Sequence, residues 1–137
     1  MRMAHLLLAE DNGGDVLLVR QSLTEHGIEH ELHVVENGAQ AIDYILRMGE
    51  PGTPYPDLIL LDLNLPRIDG PEVLREIRKY PECAETPVIV ISSSDTPRDH
   101  ARIAGLGVTR YFRKPIDFEQ FLELGAVVRE VLDGSAT

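Results

Sequence analysis

The chain has 137 residues, a formal net charge of −10 and one cysteine, Cys83. This length suits one domain with its own core, and we expect a single domain over residues 1–137, with no output domain. The acidic charge argues against binding to nucleic acid or to an anionic membrane surface. A lone cysteine excludes an internal disulfide, and the amino-terminal apolar run is too short for a signal peptide or membrane span. A cytoplasmic protein is therefore expected.

Short apolar or β-branched runs alternate with helical patterns along the chain. The runs predict strands over residues 5–9, 31–35, 58–61, 88–91 and 109–112, with the second strand at a sheet edge. The first helix is predicted over residues 14–25. Helix-start signals follow at Asn37 with Gln40, Asp69 with Glu72, Thr96 with Asp99 (a looser version), and Asp117 with Gln120. This alternation predicts an α/β fold with a doubly wound parallel sheet.

Polar side chains follow four of the five predicted strands. They are Glu10 and Asp11, then Asp62, then Ser92, Ser93 and Ser94, and finally Lys114 with Pro115. Ligands of open α/β sheets bind at the carboxyl ends of the strands, so we expect these side chains to converge. Three neighbouring carboxylates repel unless a cation joins them, and short oxygen ligands suit Mg²⁺. For Glu10 and Asp11 alone, a solvated turn that caps the first helix is an equally good interpretation.

The segments AED, LLDLNLPRIDG, PVIVISSS and YFRKP, taken in order and spacing, resemble the receiver domain of two-component response regulators. The resemblance covers the chain from residue 5 to about residue 132. It implies a flavodoxin-like (βα)5 fold with a five-stranded parallel sheet in the order 2-1-3-4-5. It also implies a sensor histidine kinase as partner, whose phosphohistidine donates a phosphoryl group to Asp62.

The resemblance implies the metal ligands of this site. Glu10 and Asp11 match the acidic pair that holds Mg²⁺, with Mn²⁺ as an alternative. Asp62 and the backbone carbonyl of Asn64 complete the set of protein ligands.

The resemblance also implies the residues around the phosphoryl group. Ser92 matches the hydroxyl that hydrogen-bonds this group, and Lys114 matches the lysine that neutralises it. Tyr111 matches an aromatic switch that turns inward when Ser92 moves, and the bond before Pro115 is expected to be cis. Positions that line the phosphate and tune hydrolysis are matched by Asn64, Ser93 and Ser94, although the two serines also suit a helix-capping loop.

The output of such a protein would be a partner protein, a phosphorelay, or a homodimer through the face of the fourth helix, fifth strand and fifth helix. The LLDLNLPRIDG segment and the long loop over residues 49–57 are similar to stand-alone receivers paired with phytochrome-type sensor kinases. Such a protein is a phosphoacceptor in signalling, with self-catalysed phosphotransfer and autodephosphorylation only, and not an enzyme acting on other substrates.

Three alternatives are weaker. An aspartate-nucleophile phosphatase or phosphotransferase of the haloacid-dehalogenase type needs a second acid two residues after its nucleophile, where this chain has Asn64. A nucleotide-binding module would need a glycine-rich phosphate loop, which the sequence lacks. A degenerate receiver is disfavoured because each expected side chain is present. The histidines show no metal-ligand spacing along the chain and are interpreted as surface or packing residues: His5, His26, His30, His33 and His100.

Overall fold

The computed structural model describes residues 3–135, without the side chain of Ser135. Along these residues, strands and helices alternate. The strands are β1 (Ala4–Ala9), β2 (His30–Val35), β3 (Leu58–Asp62), β4 (Val88–Ser92) and β5 (Arg110–Arg113). The helices are α1 (Gly13–Glu25), α2 (Gly38–Arg47), α3 (Gly70–Lys79), α4 (Pro97–Arg102), α5 (Phe118–Phe121) and α6 (Leu124–Ser135).

The strands form one parallel sheet in the order β2-β1-β3-β4-β5. This order confirms the predicted doubly wound architecture, with β2 at one edge. Every residue of β3 and β4 is buried. Such burial on both faces explains why these strands appear in the sequence as continuous apolar runs.

Two apolar layers cover the faces of the sheet. Alternate residues of β1 point to opposite faces, so Leu7 packs with Ile45 of α2 and Leu74 of α3, whereas Leu8 packs with the other layer. That second layer includes Leu23 of α1 and is completed by α5 and α6. Among residues 3–135, no helix combines the length and the apolar character that crossing a membrane requires.

Side-chain caps begin the helices close to the predicted positions. Asn37, Asp69 and Asp117 each accept a backbone N–H from the first turn of the following helix. Thr96 and Asp99, expected to form only a loose cap, make a reciprocal capping box at the start of α4.

The last predicted helix is divided into α5 and α6. Near the start of α6, a Cβ atom added to Gly125 would lie 2.2 Å from the backbone oxygen of Ser22. Glycine therefore permits the close approach of α6 to α1. Gly105 lies beyond α4 with φ of +79° and turns the chain there.

Candidate functional site

Four strand ends bring the predicted site residues together at the carboxyl edge of the sheet. Asp62 and Ser92 are the last residues of β3 and β4, while Glu10 and Lys114 directly follow β1 and β5. Glu10, Asp62 and Ser92 are 1%, 5% and 0% exposed, respectively. The apolar strands thus hold polar groups in a nearly dry environment, where each charge needs a partner.

A cluster of three carboxylates occupies this edge. Glu10, Asp11 and Asp62 each offer an oxygen, and these oxygens all lie within 4.8 Å of one another. Burial raises the pKa of Glu10 to about 7; Lys114 opposes this shift, while the charge of Asp62 adds to it. Because the donors are hard oxygens with an excess of negative charge, the cluster fits a divalent cation such as Mg²⁺ or Mn²⁺.

Lys114 lies among the carboxylates. Its Nζ is 2.6 Å from Oε1 of Glu10, 2.8 Å from Oδ2 of Asp15 and 3.3 Å from Oδ2 of Asp62. The contact with Glu10 is an ion pair whose angle departs from hydrogen-bond geometry. Burial alone would lower the pKa of Lys114, but the interactions with Asp15, Glu10 and Asp62 outweigh it and raise the pKa. The ammonium group is therefore held charged.

Asp15 is a site residue that the sequence analysis missed. It lies in the first turn of α1, and its backbone N–H donates to Oδ1 of Asn12, which caps the helix. The strand-end rule does not reach it because Asp15 is four residues beyond Asp11, inside a helix. An acid in the first turn of a helix that follows the AED segment was the available signal.

The expected cis bond before Pro115 is wrong. The Lys114–Pro115 bond is trans, and no peptide bond among the described residues is cis. The trans form of such a bond is favoured by about 0.5–1 kcal/mol in the absence of other constraints. Since Lys114 reaches its three carboxylates with the trans bond, its position in this structure does not require the cis form.

A chain of contacts leads from Ser92 outward. The backbone N–H of Ser94 donates to Oγ of Ser92 at 3.3 Å, and the hydroxyl of Tyr111 donates to the backbone oxygen of Ser94 at 2.7 Å. Oγ of Ser94 donates to Asp99 at 2.5 Å, which ties this loop to α4. The half-buried Tyr111 ring stacks on His100 with ring centres 4.3 Å apart. The predicted switch pair is thus linked through Ser94.

Two other residues that are predicted to line the phosphate are Ser93 and Asn64. Ser93 and Asn64 are both exposed. The backbone N–H of Asn64 donates to Oδ1 of Asp62 at 2.9 Å. This hydrogen bond orients the Asp62 carboxylate from the loop that follows β3.

Residues 6–125 match the family model described as the response regulator receiver domain. The chain belongs to this receiver family. The match confirms the family that the resemblance of the four sequence segments predicted. It gives no support to a haloacid-dehalogenase-type enzyme.

Similar receivers include the response regulator Rcp1 of Synechocystis, which is 37% identical over 120 residues, covering 87% of this chain and 82% of Rcp1. The structure of the phosphorylated cyanobacterial phytochrome response regulator RcpA aligns with a TM-score of 0.88 at 35% identity, covering 99% of this chain and 98% of RcpA. These matches confirm the predicted likeness to phytochrome response regulators.

Metal-bound receivers are also similar. The Mn²⁺-bound form of Rcp1 aligns with a TM-score of 0.81 at 35% identity, covering 92% of this chain and 91% of that chain. A receiver domain of the sensor histidine kinase PA1611 from Pseudomonas aeruginosa PAO1, with magnesium in its active-site cleft, aligns with a TM-score of 0.78 at 25% identity. The coverage there is 96% of this chain and 99% of that domain.

Proposed function

We propose that Asp62 accepts a phosphoryl group from the phosphohistidine of a sensor histidine kinase and that the phosphorylated chain transmits a signal. The observation that carries this proposal is the setting of Asp62 at the end of β3. Its Oδ2 lies 3.3 Å from Lys114 Nζ, and it shares a cluster with Glu10 and Asp11. A buried strand end gives the nucleophile a rigid position beside charged partners.

The carboxylates of Glu10, Asp11 and Asp62 and the backbone carbonyl of Asn64 would hold Mg²⁺, or Mn²⁺ in its place. When bound, the ion would neutralise negative charge on the phosphoryl oxygens. The set of three carboxylates supports this assignment, because Mg²⁺ and Mn²⁺ prefer oxygen ligands. The metal-bound structures of Rcp1 and the PA1611 receiver support it as well.

Transfer forms a bond between a carboxylate oxygen of Asp62 and phosphorus, while the bond from phosphorus to the histidine nitrogen of the kinase breaks. The electron pair of that bond stays with the imidazole, which takes up a proton. Lys114 then neutralises the acyl phosphate, and the hydroxyl of Ser92 donates a hydrogen bond to it. Positioning and charge neutralisation dominate such a reaction.

The same contacts carry the proposed switch. When Ser92 is drawn toward the phosphoryl group, the N–H of Ser94 loses its acceptor, and the hydrogen bond from Tyr111 to Ser94 is disturbed. Tyr111 would then leave its stack on His100 and turn inward, which changes the surface of α4 and β5. Asn64, Ser93 and Ser94 would tune the lifetime of the acyl phosphate.

The wider proposals follow from the charge and the family. We propose that residues 1–137 form a single receiver domain in the cytoplasm, which binds neither nucleic acid nor membrane and has no turnover of external substrates. Its output would be a partner protein, a phosphorelay, or a homodimer through α4, β5 and the α5–α6 segment. The net charge of −10 supports the absence of nucleic acid binding.

The decisive experiment is intact-mass analysis after incubation with acetyl phosphate and Mg²⁺. The wild type should gain one phosphoryl group, chelation of the metal should prevent the gain, and Asp62→Asn should gain none. Asp43→Asn is a matched control because Asp43 lies on α2 in an exposed ion pair with Arg47. An adduct of equal yield in Asp62→Asn would contradict the assignment, and steady turnover of a phosphomonoester would favour the enzyme alternative.

A further inference from the structure

Three side chains with metal-binding groups meet at the amino end of β1, away from the phosphoacceptor site. In the β1–β2 register, His5 pairs with Glu31 and Leu7 pairs with His33. Because side chains alternate along a strand, His5, Glu31 and His33 share one face of the sheet. The ligand atoms that they offer all lie within 4.8 Å of one another.

Two ring nitrogens in this group are buried and lack hydrogen-bond partners among the described residues: Nδ1 of His5 and Nε2 of His33. The latter lies 3.1 Å from Oε1 of Glu31 without hydrogen-bond alignment. Buried polar atoms are normally paired, and leaving one unpaired is costly. Two such atoms on neighbouring histidines, one of them 3.1 Å from a carboxylate oxygen, therefore require an explanation.

Neighbouring polar groups are engaged elsewhere. The hydroxyl of Tyr44, whose ring lies 5.8 Å from that of His33, donates to the backbone oxygen of Pro54 at 2.8 Å. Oδ2 of Asp57 accepts the backbone N–H of His5 at 2.8 Å. These hydrogen bonds hold the surroundings of the two rings in place but leave both buried nitrogens without a partner.

We propose that His5, Glu31 and His33 form a second metal site, which binds a divalent transition ion of the Zn²⁺ type. Two imidazole nitrogens and one carboxylate oxygen are the donors that Zn²⁺ prefers, whereas Mg²⁺ prefers oxygen alone. Tetrahedral bonds of about 2.0–2.1 Å place two ligand atoms about 3.3 Å apart. The 3.1 Å separation of His33 Nε2 from Glu31 Oε1 is close to that value.

The position of this site in the sheet gives it a structural role. β2 is an edge strand, and β1 is its neighbour in the sheet. An ion held by His5 on β1 and by Glu31 and His33 on β2 clamps this edge. At roughly 3.3 Å per residue, His5 lies about 16 Å along β1 from Glu10, so the second site is separate from the acidic cluster.

The affinity of the full chain for Zn²⁺, measured by competition with a chromophoric chelator, tests the proposal. The measurement is made in saturating Mg²⁺, so that the acidic cluster is occupied and does not take up Zn²⁺. The wild type should bind one Zn²⁺, and the stabilised folded state should show a higher Tm. Glu31→Gln and His33→Gln should each weaken Zn²⁺ binding by about 100-fold or more. Loss of a residue that only hydrogen-bonds a metal ligand already costs about 10- to 100-fold, and these variants lose a ligand itself. Glu31 is exposed, so Glu31→Gln preserves the fold.

His30→Gln is the matched control. His30 lies on the same strand with its side chain toward the opposite face, and its Nδ1 is 2.8 Å from the backbone oxygen of Ile28. The affinity of the His30→Gln variant for Zn²⁺ should equal that of the wild type, and the Asp62→Asn variant should also bind Zn²⁺ with wild-type affinity. Phosphorylation of Glu31→Gln should be unchanged, which separates this proposal from the one on Asp62.

Three results of the Zn²⁺-binding experiment would overturn the second site. They are an absence of Zn²⁺ binding in saturating Mg²⁺, equal affinity in the wild type and Glu31→Gln, or loss of binding in Asp62→Asn. Nitrogen chemical shifts of the imidazoles give an independent measurement, because bound metal moves the resonances of His5 and His33 but not of His30. Shifts confined to other histidines would also contradict the proposal.

Discussion

The two ends of β1 carry polar clusters built by the same rule but in different surroundings. At the carboxyl end, Glu10 joins side chains from β3 and from the segment after β5, and its carboxylate is almost fully buried. At the amino end, His5 joins Glu31 and His33 of the edge strand, and Glu31 is exposed. Parallel pairing aligns side chains in both places. Burial decides how strongly each cluster depends on its charges, so changes at the carboxyl end should have larger effects.

Lys114→Met should produce the largest loss of stability. It removes the ammonium group that faces Glu10, Asp15 and Asp62, and breaking a buried ion pair costs about 3–5 kcal/mol. In Mg²⁺-free buffer, we expect the free energy of unfolding in urea to fall by about 3 kcal/mol. Added Mg²⁺ should recover part of this loss, because the ion also offsets the carboxylate charges.

Lys79→Met is the control for this prediction. Lys79 pairs with Glu76 at 3.0 Å, but its side chain is 64% exposed. Exposed pairs contribute little, so its unfolding curve should match that of the wild type with and without Mg²⁺. If Lys114→Met and Lys79→Met lost equal free energy of unfolding, the buried ion pairs at the carboxyl end would contribute no more to stability than an exposed pair.

The pH dependence of metal binding should give an intermediate effect. The pKa of Glu10 is raised to about 7 in the folded, metal-free chain, because burial favours the neutral acid. Metal binding must release this proton, so the Kd for Mg²⁺ should rise about fivefold from pH 7 to pH 6, by titration calorimetry. Glu10→Gln should bind more weakly but with a flatter pH profile.

The raised pKa of Glu10 also predicts the direction in which the stability of the metal-free protein changes with pH. Between pH 4.5 and about 7, folded Glu10 holds a proton that the unfolded chain has released. The contribution of Glu10 to stability is therefore present below pH 4.5 and falls as pH rises through about 7. A wild-type stability profile parallel to that of Glu10→Gln over this range would contradict the raised pKa.

The strands and their convergence at the carboxyl end could be predicted for simple reasons, whereas the strand order was expected from the resemblance to receivers. Apolar runs mark buried strands, and the strand-end rule places Glu10, Asp62 and Lys114 together. Asp15 was missed because the direction of that side chain depends on how α1 packs. A cis bond before Pro115 was expected from the resemblance, and this structure has a trans bond.

The histidines show a different limit. Metal ligands were sought by their spacing along the chain, and His5 and His33 are 28 residues apart. Only the register of β1 against β2 brings them to one face, with Glu31 beside them. Such a register is a tertiary property: a slip of one residue would move the β2 side chains to the other face. The amino-end cluster could therefore be recognised only after the strands were paired.

Tyr111→Phe should have the smallest effect and shows how far the carboxyl-end cluster extends. The change removes the donor to the backbone oxygen of Ser94 but keeps the ring on His100. We expect a loss of about 1 kcal/mol in the free energy of unfolding, the usual net value of one hydrogen bond. The yield of phosphorylated Asp62 should stay unchanged, because the Tyr111 hydroxyl contacts the loop rather than the carboxylates. A fall in that yield, absent from the exposed Tyr55→Phe control, would place Tyr111 within the phosphoacceptor machinery instead of downstream of it.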